Sequence, residues 1–195
     1  MQIHSEITNK ILEEYSSSEI SKYSIDSKYL ESMNISLADF GTHCEEHNYY
    51  EESFGTRYYQ APEIILMGKC SYPVDIWALG CTFYELLTGN LLFDPIKDSK
   101  HSRDYYHLQL IQETCGDFPK NFLKKTSYYR QFFDKNYKLK GYEKTDETNR
   151  LDRKLNEFNF DKPTKDAIKR ILMGTLNIDP TRRWTIDQVY SMMVP

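Results

Sequence analysis

Asp39-Phe40-Gly41-Thr42-His43-Cys44 opens a stretch that Gly55-Thr56-Arg57-Tyr58-Tyr59-Gln60-Ala61-Pro62-Glu63 closes, with a polar, acidic run between them. Just ahead of it, Ile35 and Leu37 alternate with smaller or polar residues, the period-2 pattern of a short strand ending near Asp39. Behind it the pattern turns helical. Residues 61–67 predict a short helix stopped by Gly68. Pro73–Thr88 predicts a longer one, with proline at its start and Gly89 just past its end. The apolar residues of that longer helix (Val74, Ile76, Trp77, Leu79, Phe83, Tyr84, Leu86, Leu87) point in nearly every direction, which predicts burial all round.

Further out, residues 104–115 predict a helix with Leu108 and Ile111 on one face and Gly116 as its stop. Thr164 is read as the cap of a helix reaching Leu176. Thr185 with Gln188 forms a capping-box pattern before a last helix ending near Met193. Residues 117–160 are irregular, aromatic and charged, and give no periodic signal. Residues 1–33 are polar and serine-rich around Glu-Glu-Tyr-Ser-Ser-Ser-Glu (13–19) and read as a spacer or linker, with Ile7, Ile11 and Leu12 able to line one short helical face. The expected division is a spacer over 1–33 and one domain over 34–195.

A chain of 195 residues suits a single domain with a real core. Its 39% apolar and 28% charged residues are ordinary for a globular protein. No apolar run approaches the ~20 residues that span a bilayer, and the first residues lack a basic region followed by an apolar one. The expectation is an intracellular protein away from membranes. None of the four cysteines (Cys44, Cys70, Cys81, Cys115) stands in a C-x-x-C spacing, so reduced thiols in a reducing compartment are expected. A net charge of −4 argues against nucleic acid and suits a basic peptide partner.

Two more motifs follow the opening pair: Asp75-Ile76-Trp77-Ala78-Leu79-Gly80 and Asp179-Pro180-Thr181-Arg182-Arg183. In this order and spacing, the four resemble the C-terminal lobe of a eukaryotic-type protein kinase over residues 34–193. Within that family the chain is most similar to the SR-protein kinases of the CMGC group. That similarity rests on Gly41-Thr42-His43-Cys44, Thr56-Arg57-Tyr58-Tyr59, Leu92-Phe93-Asp94-Pro95, Ser102-Arg103-Asp104 with His107, and Ser127-Tyr128-Tyr129-Arg130-Gln131-Phe132-Phe133. Gln60 departs from it, standing where the group usually places arginine.

The resemblance implies a mainly α fold: the helical bundle of a kinase C-lobe, with a short strand before the activation segment. It implies that Asp39 is the ligand of the magnesium that bridges the ATP phosphates. Thr56 then belongs to the substrate-site loop and touches the catalytic aspartate and lysine. Glu63 and Arg183 form a buried ion pair, and Asp75 accepts hydrogen bonds from the catalytic-loop backbone. The acidic residues Glu45, Glu46, Glu51 and Glu52 read as a solvated face, or as a mimic of phosphorylation that attracts basic substrate.

Other parts of a kinase are missing from these 195 residues. The nearest two glycines, Gly80 and Gly89, lie too far apart for G-x-G-x-x-G, and no Val-Ala-x-Lys occurs. His101-Ser102-Arg103-Asp104 carries an extra residue and follows the activation segment, so the catalytic base is absent. The expectation is therefore a serine/threonine kinase family member for ATP-dependent transfer to basic or Arg/Ser-rich protein, truncated and inactive alone. It would bind no Mg or ATP by itself and would have a separately encoded N-terminal half as partner. The alternatives are a non-catalytic, pseudokinase-like interaction module or a decayed gene product. Without the helix that normally covers it, one face of Pro73–Thr88 would be an apolar patch.

Overall fold

The computed structural model describes residues 34, 36–42, 55–143 and 149–193. The chain divides into two units, Met1–Gly41 and Thr42–Pro195. In the first, Asn34 and residues 36–39 are exposed and carry no regular structure; the 3-10 turn Phe40–Thr42 that follows runs across the division. The short strand expected before Asp39 is thus not formed among the described residues. A strand's N–H and C=O groups need a neighbouring ladder, and these residues are open to solvent instead.

The second unit is helical: α1 (Pro62–Ile65), α2 (Pro73–Thr88), α3 (Arg103–Cys115), α4 (Lys120–Leu123), α5 (Tyr129–Phe132), α6 (Arg150–Asn156), α7 (Lys162–Thr175) and α8 (Ile186–Met193). The mainly α class is as the sequence predicts. Helix α2 has the predicted bounds, ending where Gly89 adopts φ 69°, a left-handed conformation that costs glycine little. Helix α1 is shorter than predicted, because Met67 itself turns left-handed at φ 51°. The Gly68 N–H then closes on the Glu63 carbonyl at 2.8 Å.

Helix α7 is capped by Asp161, whose Oδ1 accepts from the Thr164 N–H at 2.9 Å. Thr164 is inside the first turn and is not the cap. The capping box before α8 forms as predicted: the Thr185 N–H donates to Gln188 Oε1 at 2.9 Å, and the Gln188 N–H to Thr185 Oγ1 at 3.3 Å. The segment left unassigned holds α4, α5, α6 and a tight hairpin around the antiparallel bridge Phe133–Leu139.

The core forms around α2. Trp77 and Tyr84 are wholly buried with Phe93, Leu108, Ile111 and Leu172, and Trp77 stacks on Phe93 at 5.6 Å. Gly80 lets α2 and α7 approach closely: a Cβ there would lie 2.5 Å from Thr175 Oγ1. Helix α2 is not buried all round, however. Leu79 and Leu86 are 39% and 81% exposed, and Phe83 between them is half-buried. Cys81 and Cys115 are free thiols, and burial pushes the Cys115 thiol up to about 12; Cys44 lies outside the described residues. Among the described residues no helix is long and apolar enough to cross a membrane.

His107 on α3 is fully buried against Phe93, and neither ring nitrogen has a hydrogen-bond partner. Desolvation, with a smaller contribution from the Arg57 charge, lowers its pKa to about 3 from an ordinary 6.5. The folded state therefore resists protonating a ring that the unfolded chain protonates readily. His107 costs nothing above pH 6.5, and stability falls as pH drops from 6.5 toward about 3. Between pH 7 and 5 this one group should remove about 2 kcal/mol. Urea unfolding at both pH values should show that loss in the native chain and its absence in His107→Leu. Equal losses in both would refute the assignment.

Candidate functional site: a pinned segment presenting Thr56

Asp39 sits in the first unit at φ 64°, left-handed for a non-glycine residue, directly before the 3-10 turn. Aspartate is among the few side chains that tolerate this region. Its carboxylate is exposed and has no partner among the described residues. It lies over Gly41, whose missing Cβ would stand 3.7 Å from Oδ1. An uncommitted oxygen donor of this kind suits magnesium, which is commonly held by one or two carboxylates plus substrate phosphates.

The other four residues singled out lie in the second unit. The segment from Gly55 to Glu63 is fixed along its length. Gly55 begins it at φ 76°, and the buried Gln60 reaches back to the Gly55 carbonyl with Nε2 at 3.2 Å. Between them the Tyr59 N–H closes on the Thr56 carbonyl at 3.0 Å, making a 3-10 turn over Arg57–Tyr59.

Arg57 pairs with Asp104 in the first turn of α3. The Tyr59 hydroxyl donates to Glu85 of α2 at 2.6 Å. That bond to a carboxylate, helped by burial, holds the phenol at about 12. Thr56 itself is exposed, and its side chain makes no capping bond. The segment is rigidly held while this one hydroxyl is presented.

At the far end Glu63 meets Arg183, as the resemblance implied. Arg183 Nη1 and Nη2 donate to the two Glu63 carboxylate oxygens at 2.7 and 2.9 Å, with both side chains buried. Nη1 also donates to the Pro73 carbonyl at 2.6 Å and Nε to that of Asn177 at 3.0 Å. The guanidinium lies 5.1 Å over the Trp77 ring. One residue thereby joins α1, the start of α2 and the turn before α8. A paired, four-bonded guanidinium meets the conditions under which a buried charge is tolerated.

Asp75 stands in the first turn of α2. Its carboxylate has no hydrogen-bond partner among the described residues, and desolvation raises the carboxyl above the ordinary value. Its expected partner, a catalytic-loop backbone, is not part of residues 55–193. The anchors Asp104 and Glu85 were missed in the sequence, lying 47 and 26 residues from the groups they hold. The acidic run containing Glu45, Glu46, Glu51 and Glu52 lies outside the described residues.

The helical unit and the buried Glu63–Arg183 pair accord with the C-lobe resemblance, and the pins to α2 and α3 add to it. Residues 26–193 match the model of the protein kinase domain. The chain belongs to the protein kinase family. Among curated proteins it is similar to serine/threonine-protein kinase SRPK of Physarum polycephalum, 32% identical over 177 residues, covering 88% of this chain and 42% of that protein. It is 30% identical to serine/threonine-protein kinase SKY1 of Saccharomyces cerevisiae over 151 residues, covering 77% of this chain and 20% of that protein. Against human SRSF protein kinase 3 it is 36% identical over 108 residues, covering 55% of this chain and 19% of that protein. The chain thus spans less than half the length of each of these relatives.

Proposed function

We propose that these residues supply the substrate-loop and metal-ligand half of an ATP-dependent protein serine/threonine kinase. The pinned segment that presents Thr56 carries this reading. Asp39 is the residue that would hold magnesium, which offsets phosphate charge when bound with ATP. Thr56 positions the accepting side of the reaction, and Glu63–Arg183 keeps its loop on the helical core. Asp75 keeps an unused acceptor for a catalytic-loop backbone.

The glycine-rich loop, strand lysine and catalytic base are supplied by an N-terminal half outside residues 1–195, and without them the chain does not transfer phosphate. A basic, Arg/Ser-rich protein is the substrate class, supported by the acidic run between Asp39 and Gly55 and by the similarity to SRPK and SRSF kinases. Free thiols at Cys81 and Cys115 support a reducing, intracellular setting.

Calorimetry with MgATP tests the division of labour. The 195-residue chain alone should show no binding in the micromolar range, because one carboxylate cannot replace the phosphate cradle of the other half. Micromolar affinity would overturn it. A second reading, an interaction module without catalysis, is favoured by one observation, the exposed Leu79 and Leu86 on α2.

A further inference from the structure

Residues 117–143 carry seven Lys or Arg against three Asp or Glu, a net +4 in a chain whose total is −4. Two of the seven cations are already engaged. Lys138 pairs with Asp117 at 2.8 Å, and Lys140 donates to the carbonyls of Arg130 and Gln131 at 2.7 and 3.1 Å. Lys120, Lys124 and Arg130 have no carboxylate partner among the described residues, and all three are exposed.

These three are organised rather than scattered. The ammonium groups of Lys120 and Lys124 both lie 5.7 Å from the centre of the Tyr137 ring. Tyr137 stacks on Tyr129 at 6.0 Å, and the Arg130 guanidinium lies 5.8 Å from the Tyr129 ring while its Nε donates to the Tyr129 hydroxyl at 3.2 Å. The hairpin that carries Tyr137 is itself fixed: Asp134 Oδ1 accepts from the N–H groups of Asn136 and Lys138 at 2.8 and 2.9 Å. Three unneutralised cations are therefore held around one aromatic pair, where they repel each other unless an anion joins them.

We infer that this face, built by Lys120, Lys124 and Arg130 around Tyr129 and Tyr137, docks a short peptide bearing phosphoserine. A phosphate brings close to two charges and three acceptor oxygens, which suit a lysine pair and an adjacent guanidinium better than a single carboxylate does. A long polyanion fits worse. The rest of the chain is net acidic and repels it beyond the patch, and the tyrosines are stacked on each other and overlaid by cations rather than bare for bases. The inference goes beyond the kinase reading and does not rest on it.

The test is fluorescence anisotropy of the 195-residue chain with a labelled decapeptide carrying two phosphoserines two residues apart. The arms are the unphosphorylated decapeptide, inorganic phosphate as competitor and a twelve-nucleotide oligouridylate. The phosphopeptide should bind more tightly than the other three and release as salt rises. Lys120→Glu/Lys124→Glu and Arg130→Ala should each weaken it by about tenfold or more. Lys97→Glu/Lys100→Glu, exposed outside the patch, should leave it unchanged. Circular dichroism melts identify a variant that binds poorly only because it is unfolded, and Lys120→Gln/Lys124→Gln then replaces it. Equal affinity for the unphosphorylated peptide, tighter binding of oligouridylate, or equal loss in the Lys97/Lys100 variant would each overturn the inference.

Discussion

Arg183→Met is expected to destabilise the chain by about 3–5 kcal/mol, the range for breaking one side of a buried ion pair. The change leaves the Glu63 carboxylate, almost wholly buried, without the only charged partner it has among the described residues. It also strips the Pro73 and Asn177 carbonyls of a donor, and it removes the cation packed on Trp77. The loss belongs to the pair and not to either residue, which a double-mutant cycle can show. Glu63→Leu/Arg183→Met removes both charges together and should recover part of the single-mutant loss, since replacing a whole buried pair is often near neutral. Urea midpoints at pH 7 read both effects. A loss below about 1 kcal/mol in Arg183→Met would show that the pair is not holding the segment to the core.

How far the sequence could be read differs from element to element, for physical reasons. Helix α2 was legible because proline and glycine fix opposite ends of a helix by backbone chemistry alone. The start of α7 was misread because Asp161 and Thr164 are both competent caps three residues apart, and residue type does not choose between them. Helices α4 and α5 have four residues each, too few for a 3.6-residue period to register. The strand before Asp39 was inferred from alternation, which cannot say whether a neighbouring strand is there to pair with.

In the site, Asp39, Thr56, Glu63, Asp75 and Arg183 were picked out through the kinase resemblance and not by local pattern. The contacts that fix Thr56's loop, Arg57–Asp104 and Tyr59–Glu85, join distant segments and leave no periodic trace. The same holds for His107, whose ring packs on Phe93 from an earlier stretch of chain.

Asp39 carries the remaining large effect. Neutralising it removes the acidic oxygen pair proposed above to hold magnesium, and metal charge stabilisation is worth several kcal/mol at phosphoryl transfer. The expected result is a loss of about a thousandfold or more in rate. Asp39→Asn is the cleaner variant, because asparagine also tolerates the left-handed φ of 64° that alanine resists. A loss in Asp39→Ala alone would report backbone strain; a loss in both reports the charge.

The most direct measurement is phosphate transfer from MgATP to an Arg/Ser-rich peptide by this chain, alone and mixed with a kinase N-terminal half carrying the glycine-rich loop, strand lysine and His-Arg-Asp. Transfer by the mixture only, abolished by Asp39→Asn, is the expected outcome. Transfer by the chain alone, or full activity of the Asp39→Asn mixture, would contradict it.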